Sequence, residues 1–184
     1  MIERDQIPSA VKTESQPEPW LRGTLINLPA EQRAVLHAMH LAQEDIWRWC
    51  GTLTEEELFA RPYGLPPVAF HIRHIVGSID RLLTYAEEKI LDDEQKRWMV
   101  AEMDGPTHRD ELLTLFDHGL VAAEGRVRAI DMKLWPESRG VGRKQLPTTV
   151  AGLLIHCAEH TQRHVGQAIT TAKVLLAQRE QPSA

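Results

Sequence analysis

Cysteine is scarce in this chain: Cys50 and Cys157 are the only two in 184 residues. They build neither a disulfide framework nor a Cys-x-x-Cys pair, and a reducing cytoplasm is the compartment that such usage suits. Aromatic residues make up only 5%, too few for a base-stacking platform. Positive charge is in deficit, 21 Lys and Arg against 26 Asp and Glu, for a net charge of −5. Holding phosphates requires a basic surface, so nucleic acid is not an expected partner. No apolar run approaches the roughly 20 residues of a membrane span, so a membrane is not expected either. The N-terminal stretch MIERDQIPSAVKTESQPEP is polar and lacks the apolar core of a signal peptide. Strand alternation and hairpin turn signals are missing too, which predicts an all-α chain.

What is present is helical periodicity. Residues 1–19, rich in Pro, Ser, Glu and Gln, read as an extended N-terminal arm, with Trp20 as the anchor where order begins. A first long helix is expected from Pro29, with Val35, Met39, Ala42, Ile46 and Trp49 inward and Gly51 as its stop. Thr54 to Glu57 spells a capping box for a short helix, ended by Pro62 and Gly64. Pro66-Pro67 opens a second long helix expected to reach Leu91, with Ile72, Ile75, Ile79, Leu82 and Ala86 on its core face. A short helix is expected over 92–102, and Gly105-Pro106 breaks the chain. Thr107 to Asp110 resembles a capping box for a third long helix, buried along Leu112, Phe116, Leu120, Ala123, Val127 and Ile130. Residues 133–147 read as a long loop, either a lid or disordered. Pro147-Thr148 starts a fourth long helix reaching Gln178, before a C-terminal tail over 179–184. Four long amphipathic segments with modest connections predict one four-helix bundle over 20–178.

The fourth helix carries His156, His160 and His164 at four-residue intervals. Residues so spaced stand one above the other, about 6 Å apart along the axis. The stripe Val150, Leu153, Cys157, His160, His164, Ala168, Thr171 and Leu175 places His160 and His164 within the apolar face. Two unpartnered imidazoles buried there are costly, so a metal ion or a hydrogen-bonding group must satisfy them. His156 lies at the rim. A third ligand must come from another helix, and His71-Ile-Arg-His74 offers two candidates. The helical wheel puts His71 about 60° and His74 about 120° from the apolar centre, which favours His71. His74, however, heads a polar strip of Ser78, Arg81 and Tyr85, and the wheel alone does not decide. His37, His40, His108 and His118 read as surface residues. Cys157 reads as a small buried hydrophobe, not a nucleophile. Asp80 with Arg81 and Glu159 with Arg163 read as surface ion pairs, with Glu159 or Asp80 as the alternative carboxylate to orient an imidazole.

His160-Thr-Gln-Arg-His164-Val-Gly166-Gln167 resembles the C-terminal helix motif of the DinB-like (DinB/YfiT-like) superfamily of metal-dependent hydrolases, in which a His-x-x-x-His pair runs into a Gly-Gln step. His74-Ile-Val-Gly-Ser78 followed by Asp80-Arg81-Leu82 is similar to its second-helix motif, and Leu53 to Leu58 with Arg61-Pro62 to its lead-in. The resemblance covers about residues 30–178. It implies an up-down-down-up four-helix bundle with a site at one end, and it carries the ligand roles onto His74, His160 and His164. It further implies a homodimer and places the chain near thiol-dependent transferases and isomerases. Gly166 would let a neighbouring helix approach closely, and Gln167 would hydrogen-bond in the site or fill a packing gap.

Three neutral imidazoles leave a divalent ion with open positions, the arrangement of catalytic sites. All-nitrogen ligation suits Zn²⁺ or Ni²⁺. The expected activity is therefore metal-dependent hydrolysis, or S-transfer with a low-molecular-weight thiol, on a small-molecule substrate. Arg81 is expected to clamp a substrate carboxylate and Tyr85 to donate a proton. The competing expectations are a non-catalytic metal- or ligand-binding protein and a purely structural bundle.

Overall fold

The computed structural model describes residues 16–103 and 108–180. Six α-helices lie among the described residues: α1 (Ala30–Cys50), α2 (Glu55–Phe59), α3 (Val68–Ala86), α4 (Asp93–Ala101), α5 (Arg109–Ala129) and α6 (Val150–Arg179). A two-stranded antiparallel sheet, β1 (Ser138–Val141) and β2 (Leu146–Thr149), precedes α6. The protein is mostly helical, as its periodicity predicts.

The four long helices bury their apolar stripes against one another, α3 on α5 and α6, and α1 on α5 and α6. In α1 the stripe is Val35, Leu36, Met39, Ala42, Ile46 and Cys50, and in α3 it is Val68, Ile72, Ile75, Ile79 and Leu83. Leu83 is fully buried where Leu82 was expected, and Leu82 is only partly so. The third stripe is buried along its whole expected length, from Leu112 to Ile130. In α6 the central line is Leu154, Cys157, Thr161, Val165, Ala168, Ala172 and Leu175. His160 and His164 are half-buried beside that line, not within it, so the expected stripe is rotated by one residue at its centre.

Helix ends follow local chemistry. Thr54 and Glu57 make the expected reciprocal capping box, and Asp92 makes a second with Gln95. α3 stops five residues short of Leu91 because Glu88 takes a left-handed conformation with φ 61°. The amides of Glu88 and Lys89 then bond back to Tyr85 O and Thr84 O, which closes the helix in a Schellman arrangement. His108 stands at the N-cap of α5 without a cap bond from its own side chain, and Glu55 accepts from the Arg109 amide instead; the Thr107 of the expected box and the Gly105-Pro106 break lie outside the described residues. So do residues 1–15 of the N-terminal arm and 181–184 of the tail. Trp20 is 60% exposed. It is no anchor: buried Pro19 and a bidentate pair between Arg22 and Glu44 hold this segment instead.

The expected 133–147 loop is the hairpin. Each strand has four residues and no apolar face, so it carries no alternation to read. The amides of Val150 and Ala151 donate to Glu137 O and Trp135 O, and the Gly152 amide donates to Thr149 Oγ1. The hairpin base thereby satisfies three N–H groups that the start of α6 leaves over. Arg139 ties β1 to Ala86 O at the end of α3. The hairpin thus sits at the C-terminal end of α3, about 18 Å along the helix from His74.

Candidate metal centre

α3 and α6 run antiparallel. Thr171 donates to Pro66 O, His71 faces His164 and Ser78 faces His160, so rising numbers on one helix meet falling numbers on the other. This pairing brings His74 between His160 and His164, with ring centroids 5.1 Å and 4.3 Å away, and the two α6 rings 4.6 Å from each other. One ligand atom from each of His74, His160 and His164 lies within 4.8 Å of the other two. Tetrahedral Zn²⁺ with bonds of about 2.0–2.1 Å separates its nitrogens by about 3.3 Å. The ligand atoms would have to close by at most about 1.5 Å to reach that spacing.

The hydrogen bonds determine which nitrogen each ring has free. His74 donates Nδ1–H to Glu102 Oε2 at 2.6 Å. Ser78 Oγ donates its proton to Ile75 O, so it faces His160 Nδ1 at 3.4 Å as an acceptor. His164 Nδ1 lies 3.0 Å from His71 Nδ1. All three cluster rings therefore engage partners through Nδ1, which leaves three Nε2 atoms for a metal. The other ring nitrogen of a ligating histidine is commonly held in this way. Burial pushes the His164 imidazole down to about 3 and His160 to about 4, with the adjacent His74 ring adding to both. Neutral imidazoles at pH 7 are the form that binds a metal.

Glu102 is the residue that sequence reasoning missed. It is 4% exposed and follows directly on α4. Its second oxygen accepts from Arg81 at 2.7 Å, so one buried carboxylate holds both the imidazole and the guanidinium. Gly77 makes room for it. A Cβ there would stand 2.5 Å from two Trp98 ring atoms and 2.7 Å from Glu102 Oε1. Phe70 stacks on His74 at 5.3 Å and meets His71 and His164 edge-on, so an apolar wall closes one side of the cluster.

The remaining candidates fall elsewhere. His71 is 2% exposed, as the wheel predicts, but it stands behind His164, outside the group of three. His156 is at the rim, hydrogen-bonded to Glu159, which also pairs with Arg163. Asp80 pairs with Arg126 rather than Arg81. Tyr85 is eleven residues beyond His74, about 16 Å along the helix, where it lines a groove with Arg139 and Ser138. His37 is buried against Thr24 and His40 pairs with Glu124, so neither is a free surface residue. Cys157 is fully buried, and desolvation raises its thiol to about 12, which fits an inert core residue. A Cβ at Gly166 would meet nothing within 4 Å, so no helix approaches there, and Gln167 is exposed.

The family model described as the DinB superfamily matches residues 38–168, well over half of the chain, and spans all three clustered histidines. No curated protein matches the chain. No helix among the described residues is long and apolar enough to cross a membrane.

Proposed function

The chain belongs to the DinB superfamily, and from that premise we propose that it is a metal-dependent enzyme acting on a small molecule. The observation that carries the proposal is the convergence of His74, His160 and His164 with each Nδ1 already engaged. The residues fit a divalent ion, Zn²⁺ or Ni²⁺ by their all-nitrogen chemistry. An ion with an open position supplies Lewis-acid polarisation, which serves hydrolysis or transfer to a low-molecular-weight thiol.

The chain's own residues prepare that position. Glu102 keeps a proton on His74 Nδ1 and fixes the ring. Ser78 does the same for His160, and His71 for His164. Arg81 acts through Glu102 as a positioning residue, since its guanidinium is committed to that carboxylate. Phe70 excludes water from one side of the cluster. In this reading the four long helices are a DinB-type four-helix bundle that works as a homodimer. Its compartment is a reducing cytoplasm, which keeps the buried thiols of Cys50 and Cys157 free.

The test is calorimetric titration of metal-free protein with Zn²⁺ and Ni²⁺, followed by ester- and amide-hydrolysis panels and thiol-transfer panels with added thiol. One ion per chain, and turnover only when it is bound, is the expected result. One ion without turnover in any panel points to a binding protein. No bound ion refutes the proposal.

A further inference from the structure

A groove of about 280 Å³ opens beside the histidine cluster, between the turn at Leu65-Pro66 and one face of α6. Its α6 wall is formed by Arg163, Gly166, Gln167 and Thr170, and His71 also lines it. His71 hydrogen-bonds His164, so the groove adjoins the proposed metal position through a single ring. The Gly-Gln step of the α6 motif lies here, where it contacts no neighbouring helix.

Charge distinguishes this groove. Two other grooves on the described surface mix Asp80 and Asp92 with Arg81 and Glu94 or with Glu87, Lys89 and Arg126, and a third sets Glu88 beside Lys89 and Arg139. No carboxylate lines this one, on a chain of net charge −5. Arg163 gives one N–H to Glu159. The Gln167 amide has no hydrogen bond among the described residues. Leu65 and Pro66 supply an apolar wall.

His71 adds a second observation. Ligation through His164 Nε2 requires a proton on His164 Nδ1. His71 Nδ1 must then accept, which puts the His71 proton on Nε2. That Nε2 is buried and has no hydrogen-bond partner. A buried donor without an acceptor is costly, and His71 belongs to the lining of this groove.

We propose that this groove binds the carboxylate-bearing part of the substrate, with Arg163 and Gln167 receiving the anionic group and the apolar turn holding the adjoining carbon skeleton. Its role as a substrate subsite rests on the metal-enzyme reading. So does the His71 tautomer, whereas anion binding by Arg163 and Gln167 does not.

Benzoate and its neutral isostere benzamide are the probes, each titrated into zinc-loaded and metal-free protein and followed by two-dimensional NMR. Benzoate should move the resonances of His71, Arg163, Gly166, Gln167 and Thr170 saturably, and benzamide should bind at least tenfold more weakly. Gly166→Leu fills the groove from an exposed helix position and should abolish the response while zinc stoichiometry stays that of the wild type. Arg163→Gln should weaken benzoate about tenfold and leave benzamide unchanged. Equal affinity for the two probes overturns the proposal, and so does undiminished binding to Gly166→Leu. It is also overturned if benzoate shifts only His74 and His160, or binds neither form. If the chain takes up no zinc, the enzyme reading fails, yet the metal-free titration still decides whether the groove binds carboxylates.

Discussion

Replacing Glu102 by Gln removes one charge and almost no volume, so its effect isolates what the buried carboxylate does. Wild-type Glu102 accepts from His74 at 2.6 Å and from Arg81 at 2.7 Å, with its side chain 5% exposed. A Gln amide has one acceptor oxygen. If that oxygen stays on His74, the amide NH₂ faces the guanidinium, donor against donor, and Arg81 is left buried and unpaired at 9% exposure. Breaking a buried pair from one side costs about 3–5 kcal/mol in full burial, and slight exposure brings the expectation to about 2–4 kcal/mol. For a chain of this size that is a fall in Tm of roughly 5–15 °C. If the oxygen turns to Arg81 instead, His74 loses its orienting acceptor. Such a loss typically weakens metal binding about 10–100-fold, or about 1.4–2.7 kcal/mol. Thermal unfolding of metal-free protein reads the first effect and competitive zinc titration the second. A folded Glu102→Gln protein with wild-type Tm and zinc affinity within about twofold would refute the reasoning.

Two glycines should respond oppositely to alanine. At Gly77 the new methyl collides with Trp98 and Glu102, and overpacking of this kind costs about 1–3 kcal/mol, with zinc affinity falling as Glu102 is displaced. At Gly166 the methyl meets open space, so helix propensity alone acts and denaturant unfolding should show a gain of about 0.5–1 kcal/mol. Acid should destabilise the metal-free protein through His71, whose imidazole burial depresses from 6.5 to about 4. Between those values the unfolded chain binds more protons, so stability rises with pH. This share is complete above about pH 7, is lost as pH falls towards 4, and amounts to about 2 kcal/mol between pH 7.5 and 5. Urea unfolding at the two pH values should show a smaller drop for His71→Phe than for the wild type, and an equal drop would contradict the assignment.

Periodicity carried most of the helical architecture, because helices whose inward faces repeat every three or four residues announce themselves. The hairpin did not, since Ser138–Val141 and Leu146–Thr149 are short and half-exposed, and their pairing serves the start of α6 rather than a core. The end of α3 was equally hidden, because Glu88 takes a positive φ that its residue type does not advertise. At the site, the wheel correctly found His71 to be the most buried histidine of α3. Burial and ligation part company, however, because a metal must be reached from a cleft. The grouped rings are half-buried residues flanking the stripe, and the fully buried one stands behind them. The family motif pointed to His74 where the wheel did not. Glu102 left no trace in either, since a lone acid after a short helix joins His74 only once α4 folds back across Gly77.

The most direct test of the central claim is metal content, by elemental analysis of untagged protein, for the wild type and for His74→Ala, His160→Ala and His71→Ala. The account predicts close to one divalent ion per chain in the wild type and in His71→Ala, and none in the other two. Loss of metal in His71→Ala with retention in His74→Ala would contradict the ligand set. No metal in any form, even after incubation with Zn²⁺ or Ni²⁺, would contradict the metal centre itself.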